Sequence, residues 1–190
     1  MADDETESDF SVPDDNDPHY TVIGRVASTW GILENLLNGC ISDLALCDEQ
    51  HMACVTSQLI GPARRMDALI ALFVYRGGSE PLRQKLKNFQ GRIQSLAEDR
   101  NRIVHDPIVV LKKTGKVHKA LATARGALKY EIIPASIENM ERTAKRITDA
   151  NIEFSALEEE IAAEMTELGQ KQLGHMIESH RDQNPSDENS

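Results

Sequence analysis

The sequence predicts a mainly α protein: an antiparallel four-helix bundle of four or five helices, with a small antiparallel β hairpin or meander inserted before the last long helix. Three observations lead there. Apolar residues recur every three or four positions over several long stretches, which is the period of an amphipathic helix. Between about 108 and 133 that period gives way to short β-rich runs, separated by turn signals at Thr114-Gly115 and Arg125-Gly126. No run of about 18 apolar residues occurs, so no membrane-spanning helix is expected.

Residues 1–18 hold eight acidic residues, no basic one and two prolines, too little apolar surface to offset the entropy of ordering, and are expected as a disordered acidic tail. From Tyr20 to about Leu46 the residues Ile23, Val26, Trp30, Leu33, Leu37, Cys40, Ile41 and Leu44 mark the first long helix. Asp48 can cap a short helix over about 50–60, and Gly61-Pro62 then breaks the pattern. Pro62 suits the first turn of a helix over 62–76, which carries Met66, Leu69, Ile70 and Phe73 and ends at Gly77-Gly78. Leu82, Leu86, Phe89, Ile93, Leu96 and Val104 define a helix over 80–105, stopped by Asp106-Pro107. The β insertion follows at about 108–133. Pro134 ends it, Ser136 can cap the last helix, and Ile137, Met140, Ala144, Ile147, Phe154, Ile161, Met165 and Leu168 outline that helix. Residues 19–168 thus form one helical domain, and 169–190 are expected as a disordered polar tail.

The formal charge of −10 hides an uneven distribution. Residues 82–129 carry 12 basic residues against Glu98, Asp99 and Asp106, a basic block in an acidic chain. Such a block fits a polyanionic partner, with Arg102, Lys112, Lys113 and Lys116 as candidate RNA contacts. Cys40, Cys47 and Cys54 lie seven apart, roughly 10 Å along one helix, too far to share a disulfide or a zinc ion within it. The opening MADDETESDF has neither a basic stretch nor an apolar core of a signal peptide, so a cytoplasmic location is expected. No glycine-rich phosphate loop, nucleophile motif or CxxC pair is present, and His118, His175 and His180 lack companion ligands, so no metal or cofactor is expected.

The stretch AEDRNRIVHDP, residues 97–107, carries the chemistry. At about 100° per residue from Ile93, Arg100 falls near the centre of the apolar stripe, while Asn101 and His105 share one flank at i,i+4 spacing. A guanidinium on an apolar face needs a partner, and Glu34 occupies a similar place on the first helix, so a Glu34–Arg100 pair is expected. Metal-free RNA cleavage needs a proton acceptor for the 2′-OH, a proton donor for the leaving oxygen and a cation for the charged phosphorane. Histidine and arginine supply these. In one copy, however, Arg100 and His105 are about 140° and about 7.5 Å of rise apart, and a second copy across a two-fold axis would complete the site.

RNRIVH, residues 100–105, resembles the Arg-Asn-x-x-x-His motif of the HEPN superfamily of all-α proteins. W-x-x-L-E at 30–34 and R-x-D-A-L at 65–69 extend the similarity to small bacterial HEPN-like proteins with a β insertion, over most of 19–168. The resemblance implies a four-helix core, a motif-to-motif homodimer and a catalytic site of Arg100, Asn101 and His105 that cleaves RNA by 2′-OH attack. A toxin–antitoxin or defence role, with an antitoxin or other protein partner, follows from the same resemblance. The alternative is a non-catalytic dimer that binds RNA or a protein, with Arg100 in a structural ion pair.

Overall fold

A computed structural model describes residues 9–124 and 128–183. In chain order the elements are β1 (Phe10–Ser11), α1 (Pro18–Ala45), α2 (Glu49–Thr56), α3 (Gly61–Tyr75), α4 (Glu80–His105), β2 (Ile108–Leu111), β3 (Lys116–Ala124), β4 (Leu128–Pro134) and α5 (Ile137–Gln183). The fold is mainly α with a small antiparallel sheet, as the periodicity predicts. The chain forms two compact units, 1–33 with 94–150 and 34–93 with 151–190, and α1, α4 and α5 each contribute a segment to both.

The sheet belongs to the first unit. Its order is β1-β2-β3-β4, all antiparallel, with Val110 opposite Val117 and Lys119 opposite both Ile108 and Ile133. Gly115, at φ 64°, supplies the left-handed residue of the β2–β3 turn. The expected turn at Arg125-Gly126 lies outside the described residues. The fourth strand comes from the segment expected as a tail: Phe10 and Ser11 pair with Leu111 and Val110, and the Lys112 N–H reaches the Asp9 carbonyl at 3.1 Å. Composition misses this strand because backbone hydrogen bonds hold it, and β2 would otherwise expose a free edge.

Asp17 then starts α1. Its carboxylate accepts the His19 backbone N–H at 2.9 Å and faces the His19 ring at 2.6 Å, while the other ring nitrogen faces the Ala135 carbonyl at 2.9 Å. The backbone hydrogen bond from His19 holds the Asp17 carboxyl below the usual aspartate value, with the ring adding to it against a smaller cost of burial. Val22, Val26, Trp30 and Leu33 of α1 are buried in this unit, as are Leu96, Ala97 and Ile103 of α4 and Met140, Ala144 and Ile147 of α5.

In the second unit, Leu37, Cys40, Ile41, Leu44, Met66, Leu69, Phe73, Leu86, Phe89, Ile93, Phe154 and Ile161 form the core. Helix direction is legible from the polar pairs. Ser79, Lys85 and Arg92 meet Glu164, Glu160 and Glu153 in turn, so α4 and α5 run antiparallel. Arg65 meets Glu34 and Asn38, and Arg76 meets the Leu44 carbonyl, so α1 and α3 run in the same direction. Helix α2 makes this arrangement by carrying the chain back between them. Helix α5 continues to Gln183, well past Leu168. Residues from 169 read as tail because they lack an apolar stripe. Good helix formers and the Glu167–Lys171 pair at 2.6 Å extend an existing helix at little cost.

Burial pushes the Cys40 thiol up to about 12, with Glu158 and Asp43 adding negative charge, whereas Cys54 is exposed; all three cysteines are free. Two helix ends in this unit depend on unusual backbone. Leu46 closes α1 at φ 54°, with its N–H on the Asp43 carbonyl and the Cys47 N–H on the Ser42 carbonyl. That is the Schellman arrangement with leucine where glycine is favoured. At the end of α3 Gly77 and Gly78 play the same parts, and a Cβ on Gly78 would stand 2.4 Å from the buried Phe73 ring.

Replacing Leu46, which is 78% exposed, by glycine removes left-handed strain and is expected to stabilise the protein by about 0.5–1 kcal/mol in urea unfolding. Gly78→Ala is expected to displace Phe73 and cost about 1–3 kcal/mol by the same measurement.

Candidate functional site

Helix α4 ends where the sequence says it should. Its last three turns bury Leu96, Ala97 and Ile103 in the first unit and leave Asn101, Arg102 and His105 exposed, with Arg100 between the two conditions. Asp106 and Pro107 stop the helix. The Pro107 carbonyl accepts the Ala120 N–H at 2.9 Å, so the sheet begins at the residue that ends the helix.

Arg100 solves its position on the apolar stripe with an aromatic partner. Its guanidinium carbon stands 6.0 Å from the centroid of the Trp30 ring, itself buried. A cation over an indole face is stabilised by about 0.5–2 kcal/mol as desolvation increases. One Nη1 donates to Asn101 Oδ1 at 2.9 Å and lies 3.2 Å from His105 Nε2. Because guanidinium only donates, Nε2 is the acceptor in this contact. Arg100 Nε is buried with no hydrogen-bond partner among the described residues, so the group keeps unspent donor capacity there.

The three motif residues therefore meet within a single chain, and the helical-wheel separation of Arg100 from His105 does not keep them apart. Wheel angles locate Cβ atoms, whereas helical side chains lean toward the N-terminus, so the His105 ring reaches back over the preceding turn toward the long Arg100 side chain. Asn101 engages Arg100, not His105 as its i,i+4 spacing allows.

Glu34 is placed differently from expectation. Its carboxylate accepts from Arg65 Nη1 at 3.1 Å, and Arg65 Nε donates to Asn38 Oδ1 at 3.0 Å, so the expected Glu34–Arg100 pair is replaced by Glu34–Arg65. An Arg65 side chain only 12% exposed is a structural partner and not a solvated phosphate contact. A wheel ranks faces but not neighbours, and within the second unit α3 runs beside α1 and brings Arg65 to Glu34.

The expected RNA contacts divide into two groups. Lys112, Lys113 and Lys116 are exposed in and beside the β2–β3 turn, separated from Pro107 by the four residues of β2, about 13 Å of strand. The structure does not bring them to His105. Arg102 stays at the end of α4, with Nη1 3.9 Å from Asp106 Oδ2, beyond hydrogen-bond range. Its carbonyl accepts from Lys119 Nζ at 3.2 Å. Trp30, which the sequence marks only as part of W-x-x-L-E, and Lys119, which no motif marks, are further functional candidates. For Lys119 the signal was its place between Val117 and Leu121 on one face of a strand. Among the described residues no group of three or more His, Cys, Asp or Glu side chains is arranged to hold a metal ion.

Chemically, the end of α4 offers an exposed imidazole, a cation held against Trp30, and an amide that orients it. Such a set can transfer protons and stabilise an anionic phosphorus centre. Compared with protein-family models, with curated proteins and with solved structures, the chain matches none.

A double-mutant cycle over Glu34→Gln and Arg65→Gln is expected to give a coupling of about 1–2 kcal/mol in urea unfolding, as suits a partly buried pair.

Proposed function

We propose that the end of α4 is the site of a metal-independent endoribonuclease of HEPN type, in which His105 moves the protons, Arg100 holds the phosphate and Asn101 orients Arg100. The observation that carries this reading is the single Nη1 that links Asn101 at 2.9 Å and His105 at 3.2 Å. The contact keeps the imidazole beside the cation that would neutralise the attacked phosphate. In the proposed reaction the 2′-OH gives its proton to His105 and attacks phosphorus, the P–O5′ bond breaks, and a protonated group returns a proton to the departing oxygen. The products are a 2′,3′-cyclic phosphate and a 5′-hydroxyl. One imidazole supplies one proton-transfer group, so a homodimer that brings two α4 ends together would supply the second. The setting implied by the resemblance, toxin–antitoxin or defence, belongs to the same proposal, together with a protein partner as antidote.

A second reading has its own support. The His105 lone pair is already engaged by Arg100, which suits a binding surface as well as a catalyst waiting for substrate. In that reading the chain is a non-catalytic dimer that binds RNA or a protein, and Trp30, not a carboxylate, holds Arg100.

In EDTA the intact protein is expected to convert single-stranded RNA into fragments with 2′,3′-cyclic phosphate ends. His105→Ala is expected to slow this by about 100-fold or more with an unchanged circular dichroism spectrum. Cleavage that survives His105→Ala, or an absence of cyclic ends, would leave the binding reading.

A further inference from the structure

On the side of α4 turned from Arg100, the first unit holds a groove of about 470 Å³ whose lining includes Arg102, Lys119, Arg142 and Arg146 against a single acidic residue, Asp99. This volume is in the range of small-molecule clefts, roughly 300–1,000 Å³. None of the motif residues Arg100, Asn101 and His105 lines it.

The four cations are not equally engaged. Arg146 is committed to Asp99 at 2.5 Å. Arg142, exposed on α5, has no hydrogen-bond or ion-pair partner among the described residues. Among the described residues the Arg102 guanidinium makes only the 3.9 Å approach to Asp106. Lys119 is the least expected of them: the residue is 8% exposed, yet among the described residues its ammonium has one hydrogen bond, to the Arg102 carbonyl at 3.2 Å. Two of its three N–H donors are therefore open in a buried setting, an expensive arrangement unless another acceptor completes it. Burial pushes the Lys119 ammonium below the ordinary lysine value, and Asp106 only partly opposes this.

Backbone adds to the same field. Ser136 and Asn139, in the groove wall, form the cap and first turn of α5, with the Asn139 N–H on Ser136 Oγ at 3.2 Å. The positive end of this 47-residue helix thus lies at the groove. Two guanidinium forks, a buried ammonium and a helix N-terminus around one cleft make a donor set suited to a tetrahedral oxyanion, and guanidinium pairs with phosphate in bidentate fashion.

We infer that this groove is a phosphate-binding site for a phosphomonoester of nucleotide size, held by Arg102, Lys119 and Arg142. The inference is independent of RNA cleavage at His105. The phosphate is carried by a free nucleotide or by the 5′ end of an RNA strand, and the chemistry recognised is the same.

Calorimetric titration of the full chain tests it with inorganic phosphate, adenosine 5′-monophosphate, adenosine, and a short RNA bearing either a 5′-phosphate or a 5′-hydroxyl. Binding of the monophosphate but not of adenosine is expected, with roughly tenfold weakening in Arg142→Ala and in Lys119→Met. Arg142 is exposed, so its variant keeps the fold. Lys119→Met retains the buried stem without the charge. A nucleotide source is read from equal affinity for the two RNAs, and a strand end from preference for the 5′-phosphorylated one. His105→Ala is expected to bind phosphate as the unaltered protein does, which separates this site from the proposed nuclease. No binding of monophosphate and 5′-phosphorylated RNA, or affinities unchanged in both Arg142→Ala and Lys119→Met, would overturn the inference.

Discussion

Pro107 is the constraint on which the first unit turns. It lacks an amide hydrogen and biases the residue before it away from helical geometry, so α4 closes at His105. Its carbonyl accepts the Ala120 N–H and opens the sheet. One residue thus separates two faces with different chemistry. Toward Trp30 lie Arg100, Asn101 and His105, and toward the sheet lie Arg102, Asp106 and Lys119. Had the helix continued, His105 would have been one more flank residue.

Charge is handled locally in this molecule. The net excess of acid says little about the end of α4, where a cation is held by an indole and another by a backbone carbonyl. Neither device is a salt bridge. A carboxylate partner would have neutralised each group, whereas an aromatic ring or a carbonyl lowers the cost of burial and leaves the positive charge available. By contrast Arg65, Arg92 and Arg146 are matched to Glu34, Glu153 and Asp99, and their charge is spent on holding helices.

Much of the architecture was legible because helices announce themselves by period. The span 80–105 matches α4 at both ends, since Ser79 and Glu80 start it and Pro107 stops it. The start of α5 followed from Ser136. What escaped was held by forces that leave no period. Phe10 and Ser11 are fixed by backbone pairing, and the stretch of α5 beyond Leu168 by propensity along an existing helix. The candidate site was legible as a set of residues and only partly as a geometry. Motif spacing named Arg100, Asn101 and His105, but their contact depends on side-chain lean and length. The partner of Glu34 depended on helix order, which a single helix does not reveal.

Cys40 gives the second unit a built-in clock. Its thiol, 2% exposed and pushed up to about 12, offers almost no thiolate near neutral pH. Cys54, on the surface, meets an alkylating agent at once. The two labels therefore separate in time, and the slow one advances as local opening around Cys40 exposes the thiol and lets it ionise. Its rate of modification reads the population of that opened form in the unaltered chain, without denaturant.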